Sequence, residues 1–201
     1  MQKSRVKMNF LMIHGIYGKP EENWFPWLKK ELEMKAHEVI IPRFPTPIGQ
    51  TLENWLKVMK HHEDKINEDT VLIGHSLGAT FILDYLEQAD REVRAAILVS
   101  GWHENIENPF KKLNNTFVDK KFAWNKIAEN CEEFIVIGSD NDEYIPEDVT
   151  RRLSFKLDAE LHIIHNGGHL NADSGYKKFP LLLDVIEKLH EHLDKDLKNI
   201  K

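Results

Sequence analysis

Cysteine and long apolar runs are what this chain has least of. Among its 201 residues there is one cysteine, Cys131, so an intramolecular disulfide is excluded. A reducing compartment fits that composition. No apolar run approaches the roughly 18 residues of a membrane-spanning helix, and the run after the basic opening is too short for a signal peptide. We therefore expect a cytoplasmic protein with no membrane partner.

A basic surface is missing as well. The chain has 27 lysines and arginines against 33 aspartates and glutamates, a net charge of −6, and its cations are scattered. That balance argues against a nucleic-acid partner, and nothing in the sequence indicates a protein partner. The chain also lacks internal repeats and low-complexity linkers, so residues 1–201 are expected to form a single domain.

Short apolar runs alternate with amphipathic helical patterns along the chain. The predicted strands are Met8–His14, Glu38–Arg43, Thr70–Gly74, Ala95–Ser100, Glu133–Gly138 and Glu160–Ile164. The predicted helices are Trp24–Ala36, Leu52–Lys65, Leu77–Gln88, Pro146–Leu157 and Pro180–Leu193. This alternation predicts a three-layer α/β/α sandwich with a mainly parallel sheet of about six strands. Because crossovers are right-handed, the first strand should lie centrally, between the second and the third.

Residues 102–130 interrupt the alternation. The segment separates two strands by more than a simple crossover requires and holds Phe117, Phe122 and Trp124 outside any strand pattern. We expect a small irregular or helical insert near the carboxyl ends of the strands. In open α/β sheets that edge is where ligands bind.

The stretch TVLIGHSLGAT puts Ser76 between a predicted strand and a predicted helix. So sharp a turn forces its central residue into a strained backbone conformation, and glycines two residues away on each side remove collisions with the turn. The strain lifts the serine Oγ clear of the sheet, and the helix directs free N–H groups toward the same space. This geometry suits a nucleophile whose developing oxyanion must be stabilised.

A serine nucleophile needs a base and an orienting acid. The loop SDNDEYIP after one later strand offers Asp140 and Asp142, and the loop HNGGHL after the next strand offers His165 and His169. The chain order Ser, Asp, His is the order found in α/β-hydrolases. The residues alone leave open which aspartate and which histidine would act.

With these motifs the chain resembles the α/β-hydrolase superfamily, and within it the small, nearly lidless serine hydrolases that are YdeN-like and retinoblastoma-binding-protein-like. The matching pieces are IHGIYG, NWFPWLKKEL, Pro45–Pro47, LENWL, GHSLG, ILVSGW, GSDNDEYIP and NGGHL. They span nearly the whole chain. The resemblance implies a minimal α/β-hydrolase fold with little or no lid.

The resemblance also implies roles for individual residues. The nucleophile falls on Ser76, the acid on Asp142 in D-x-x-[IV]-P and the base on His169 in G-G-H, with Asp140 and His165 as their rivals. In the superfamily the backbone after the first His-Gly and the residue after the nucleophile donate to the oxyanion. Those donors would be the N–H groups of Ile16 and Leu77.

Five further residues are candidates for lining a substrate pocket: His14, Tyr17, Trp24, His75 and Trp102. His14 is expected to fix the loop after the first strand. The cysteine segment ENCEE lacks the leucine of the L-x-C-x-E motif, so the retinoblastoma partner is not expected here.

The predicted reaction is hydrolysis of small carboxylic esters through an acyl-enzyme, without a cofactor or a metal. A peptidase, amidase or thioesterase with the same triad is the alternative, and a non-catalytic binding protein with this fold is another. The substrate would be a small-molecule ester or amide. A metal centre at His162, His165 and His169 is not expected, because side chains alternate between the faces of a strand.

Overall fold

In a computed structural model, which describes residues 7–199 and side chains as far as His190, six strands form one sheet. The strands are β1 (Asn9–Ile13), β2 (Glu38–Ile40), β3 (Thr70–His75), β4 (Val93–Val99), β5 (Cys131–Ser139) and β6 (Glu160–Ile164). Every pairing is parallel and the order is β2-β1-β3-β4-β5-β6. The predicted three-layer parallel architecture, with its first strand between the second and the third, is therefore confirmed.

Seven α-helices cover the sheet within residues 7–199. They are α1 (Phe25–Glu33), α2 (Leu52–Lys60), α3 (Leu77–Gln88), α4 (Lys111–Val118), α5 (Trp124–Glu129), α6 (Glu147–Leu157) and α7 (Pro180–Asn199). None of the helices in this part of the chain is both long enough and apolar enough to cross a membrane.

The hydrophobic core lies on both faces of the sheet, because alternate side chains of each strand point to opposite faces. In β1, Leu11 and Ile13 join the cluster that packs under α3. Phe10 and Met12 join the other cluster, with residues of α1 and α7. The continuous apolar runs of the sequence are thus typical of strands that are buried on both faces of the sheet.

Several predicted elements are shorter than expected, among them α1, which ends at Glu33 instead of Ala36. Strand β2 ends at Ile40 instead of Arg43, because Pro42 has no N–H for a sheet hydrogen bond. Helix α2 ends at Lys60, and a separate 3-10 turn over Glu63–Lys65 replaces the rest of the predicted helix.

The segment 102–130 contains α4 and α5, and aromatic side chains fix it to α3. Phe117 and Phe122 are buried in the core cluster under α3. Lys120 adds an ion pair, with its Nζ 2.6 Å from the buried Asp84 Oδ1. Burial raises the pKa of Asp84 to about 7, although Lys120 opposes that rise. The segment is therefore a packed part of the fold.

The corner between β3 and α3 brings backbone closer together than any side chain would allow. Ser76 has φ 55° and ψ −124°, a left-handed conformation that is rare outside glycine. A Cβ at Gly74 would lie 2.4 Å from the Ala79 nitrogen, and a Cβ at Gly78 would lie 2.2 Å from the Ile13 carbonyl oxygen. Glycine at both positions is what lets α3 start directly on the end of the sheet.

We expect Gly78→Ala to lower the free energy of unfolding by ~3 kcal/mol, because the new methyl group meets backbone that cannot move alone. Gly175→Ala is the control. Its Cβ would meet no atom within 4 Å, and its φ of +92° leaves only conformational strain, on the order of 1 kcal/mol. Urea unfolding of both variants gives the two losses, and equal losses would contradict the steric explanation.

Candidate active site

A cavity of about 280 Å³ opens at the carboxyl edge of the sheet. It is lined by Gly15, Ile16, Tyr17, Gly18, Glu22, Asn23, His75, Ser76, Trp102, Asn108, Phe110, Asn114, Tyr144, Ile145, His169, Asn171 and Asp173. These residues come from segments that follow β1, β3, β4, β5 and β6. Such an edge, where several loops of a parallel sheet meet, is the usual ligand site of α/β proteins.

Ser76 enters this cavity from the corner after β3. Its N–H donates to the Val99 carbonyl at 2.8 Å, which fixes the corner to β4. Its hydroxyl lies beside the loop after β1, since a Cβ at Gly15 would be 3.3 Å from Ser76 Oγ. The N–H of Leu77 belongs to the first turn of α3, where backbone donors have no partner within the helix.

Asp142 faces His169 across the cavity wall. Oδ2 and Oδ1 of Asp142 lie 2.8 and 3.0 Å from His169 Nδ1. The N–H groups of Tyr144 and Ile145 donate to Oδ1 at 2.9 and 3.1 Å. Burial opposes the charge of this carboxyl, but His169 and the two N–H groups outweigh it and hold the pKa of Asp142 below its usual value. The carboxylate can thus hold the imidazole with Nδ1 protonated.

The backbone around His169 is fixed by hydrogen bonds from distant segments. Its N–H donates to Ser174 Oγ at 3.2 Å, and its carbonyl accepts from His75 Nε2 at 2.9 Å. The next carbonyl, that of Leu170, accepts from Trp24 Nε1 at 3.1 Å. Asn141 accepts from the Gly168 N–H at 2.8 Å, which joins this loop to the loop that holds Asp142.

The rival acid and base pair with each other instead. His165 Nδ1 lies 2.6 Å from Asp140 Oδ2, and the His165 side chain is 84% exposed. Hydrogen bonds from His165 and from the Asn166 N–H lower the pKa of Asp140. Neither residue lines the cavity that contains Ser76.

Three of the five pocket candidates line the cavity and two do not. Tyr17, His75 and Trp102 form part of its wall. His14 is enclosed: it accepts from the Phe44 N–H at Nε2 and donates from Nδ1 to the Gly15 carbonyl. Burial lowers its pKa. It fixes the loop after β1, as expected for it.

Trp24 was a poor candidate because its side chain is fully buried and belongs to the core beside α1. Its ring stacks on Phe25 with centroids 4.3 Å apart. Trp24 and Trp27 both lie in the predicted helix Trp24–Ala36, and that helical pattern is compatible with a core position. The pattern does not predict the hydrogen bond from the Trp24 indole to the Leu170 carbonyl in the loop after β6.

Sequence reasoning missed several residues of the cavity wall. Asn108, Phe110 and Asn114 come from the segment 102–130, and Asn171 and Asp173 from the loop after β6. The aromatic content of the segment was the one available signal. Asn108, Asn171 and Asp173 lie on loops, which have no periodicity from which their orientation can be predicted, and Asn114 lies on the short helix α4.

No three His, Cys, Asp or Glu side chains in the described part of the chain converge in a way that could hold a metal ion.

Comparison with known proteins agrees with this architecture. The fold is that of the α/β-hydrolases, as several solved structures show. A family model described as serine hydrolase matches residues 10–188, and the chain belongs to that serine hydrolase family.

Two curated relatives are similar over most of the chain. YdeN of Bacillus subtilis (strain 168) is 33% identical over 177 residues, which cover 87% of this chain and 92% of that protein. Serine hydrolase RBBP9 of Rattus norvegicus is 31% identical over 147 residues, 73% of this chain and 77% of that protein. The expected YdeN-like and retinoblastoma-binding-protein-like family is therefore confirmed.

Solved structures give the same result at the level of the fold. The crystal structure of the ydeN gene product from B. subtilis has a TM-score of 0.86 at 31% identity, covering 92% of this chain and all of that one (100%). Est1E from Butyrivibrio proteoclasticus has a TM-score of 0.67 at 15% identity, covering 96% of this chain and 90% of that one. The second likeness shows the fold alone.

His75 should make stability depend on pH. Burial lowers its pKa to about 3, whereas an unfolded histidine titrates near ~6.5. The unfolded state therefore binds the extra proton first, and stability is lost as pH falls from ~6.5 toward ~3. His75→Gln keeps an N–H donor for the His169 carbonyl but cannot titrate, so its Tm should fall less steeply with acid. Parallel curves of Tm against pH for the two proteins would contradict this.

Proposed function

We propose that the protein hydrolyses small carboxylic esters, with Ser76 as nucleophile, His169 as base and Asp142 as orienting acid. One observation supports this above the others. Ser76 and His169 line the same cavity, while His169 Nδ1 lies 2.8 Å from the carboxylate of Asp142. That leaves the other imidazole nitrogen, Nε2, for a proton from the serine.

The first half of the reaction forms an acyl-enzyme. Ser76 Oγ bonds to the ester carbonyl carbon as its proton passes to His169 Nε2. The negative charge moves to the carbonyl oxygen, where the N–H groups of Ile16 and Leu77 stabilise it. Collapse of this intermediate breaks the bond to the alcohol, which leaves with the proton from His169.

The second half releases the acid. Water gives a proton to His169 Nε2 as its oxygen bonds to the acyl carbon. The intermediate then expels Ser76 Oγ, which regains the proton. Asp142 stabilises the imidazolium in both halves without taking its proton.

The size and the charge of the cavity favour small substrates without negative charge. Its volume of about 280 Å³ is at the lower end of ligand pockets. Two carboxylates, Glu22 and Asp173, line it, and of these Glu22 is paired with Lys19 at 3.0 Å. No lysine or arginine is among the described residues that line it. A carboxylate on the substrate would therefore meet like charge without a counter-ion.

Esters, thioesters and amides share this chemistry, so the substrate class needs a direct test. We expect p-nitrophenyl esters of short acids to react faster than aminoacyl amides, and a fluorophosphonate probe to label Ser76 stoichiometrically. Faster cleavage of the amides would favour a peptidase. A chain that neither reacts with the probe nor turns over any of these substrates would be a binding protein.

Ser76→Ala should lower kcat/KM for a p-nitrophenyl ester at least ~10³-fold, because only oxyanion stabilisation and binding remain. His169→Ala should cost about as much, and the double variant should be scarcely worse than either single one. Near-normal ester turnover by Ser76→Ala would exclude the mechanism. Activity lost with EDTA and restored by zinc would exclude it as well.

Asp142→Asn tests the acid against its rival. The amide keeps the size of the side chain but favours the wrong imidazole tautomer, so kcat should fall by a factor approaching ~10⁴. Asp140→Asn is the matched control and should change kcat little, because Asp140 pairs with the exposed His165. A larger loss from Asp140→Asn would assign the acid to Asp140.

A further inference from the structure

One buried amide in the cavity wall has a donor without a partner. Asn114, on α4, is 1% exposed and lines the cavity that contains Ser76. Its Nδ2 has no hydrogen-bond partner among the described residues. A buried amide donor that is left unpaired costs roughly as much as a lost hydrogen bond, so most such groups have a partner.

The orientation of this amide follows from a chain of hydrogen bonds. The Tyr17 N–H donates to Thr46 Oγ at 2.8 Å, so the hydroxyl hydrogen of Thr46 is free to donate to Gln50 Oε1 at 2.7 Å. Gln50 Nε2 must then point the other way. It donates to the Leu113 carbonyl at 3.0 Å and to Asn114 Oδ1 at 3.2 Å. Asn114 therefore uses its oxygen toward Gln50.

The position of Asn114 on its helix is one where an apolar side chain would be expected. Asn114, Phe117 and Val118 form the buried face of α4, at helical spacing. Asn115 and Thr116 are exposed. The oxygen of this amide already accepts from Gln50, but its Nδ2 needs an acceptor, and the cavity is where an acceptor can enter.

We propose that Asn114 is a specificity-determining residue, whose Nδ2 donates to an ether, hydroxyl or carbonyl oxygen of the substrate outside the reacting ester. This rests on the proposed esterase function. The favoured substrates are short esters with one such oxygen and without negative charge, because carboxylates line the cavity. The segment 102–130 thus selects the substrate, while other loops perform the reaction.

The test compares substrates in which an oxygen replaces one methylene group. The acyl pairs are p-nitrophenyl butyrate with p-nitrophenyl methoxyacetate, and p-nitrophenyl pentanoate with p-nitrophenyl 3-methoxypropanoate. The alcohol pair is butyl acetate with 2-methoxyethyl acetate. For each pair the ratio of kcat/KM, ether over methylene, is measured for the wild type and for Asn114→Leu. Dividing the two ratios cancels the intrinsic reactivity of the esters.

We expect Asn114→Leu to lower this ratio about fivefold to tenfold for at least one pair, as loss of one hydrogen bond would. The pair that responds tells whether the oxygen lies on the acyl or the alcohol side. Turnover of the methylene substrates is measured alongside, so that a selective loss on the ether substrates can be distinguished from a general loss. Asn115→Leu, on the exposed side of the same helix, should leave every ratio unchanged.

Unchanged ratios for all three pairs in an active Asn114→Leu enzyme would overturn the proposal and leave the esterase function intact. A uniform loss on ether and methylene substrates alike would also overturn it, since that result indicates a structural role. A wild type that hydrolyses no ester and resists the fluorophosphonate probe would refute both proposals. Thermal unfolding of the variant checks that its fold is retained.

Discussion

The close approach of backbone at the corner between β3 and α3 is the constraint on which the rest of the site depends. Gly78 lies so near the Ile13 carbonyl that α3 starts directly against the end of β1. This contact holds Ser76 in its left-handed conformation and brings it beside Gly15. The loop after β1 is thereby placed at the serine. One steric condition thus brings together the hydroxyl, the N–H groups at the start of α3 and those after β1.

The same corner also supports the loop after β6. His75, which precedes the serine, donates to the His169 carbonyl, and Trp24 donates to the next carbonyl. Both donors are buried, so the two hydrogen bonds are shielded from water. Burial also keeps His75 neutral, with a pKa of about 3. The position of His169 therefore depends on the core as well as on the hydrogen bond within its own loop to Ser174.

Sheet order, helix positions and the sharp corner could be predicted from the sequence because each depends on local patterns. Apolar runs indicate buried parallel strands, and glycines on both sides of Ser76 indicate the turn. Which aspartate pairs with His169 could not be derived locally, because Asp140 and Asp142 both follow one strand. It depends on contacts across the chain: Asp140 reaches the exposed His165, and Asp142 reaches His169. Asn114 was missed for the same reason, since Gln50 orients its amide.

At the carboxyl edge of the sheet, the proposed role of each loop depends on the strand that it follows. Segments after β1, β3, β5 and β6 hold the groups proposed for the reaction, and the last three are tied to one another by Asn141 and His75. The segment after β4 supplies Asn114, and Phe117 and the Lys120–Asp84 pair are among the contacts that fix it to the rest. It shares few hydrogen bonds with Asp142 or His169. Changes in this segment can therefore alter which substrate fits while the geometry of bond breaking stays constant.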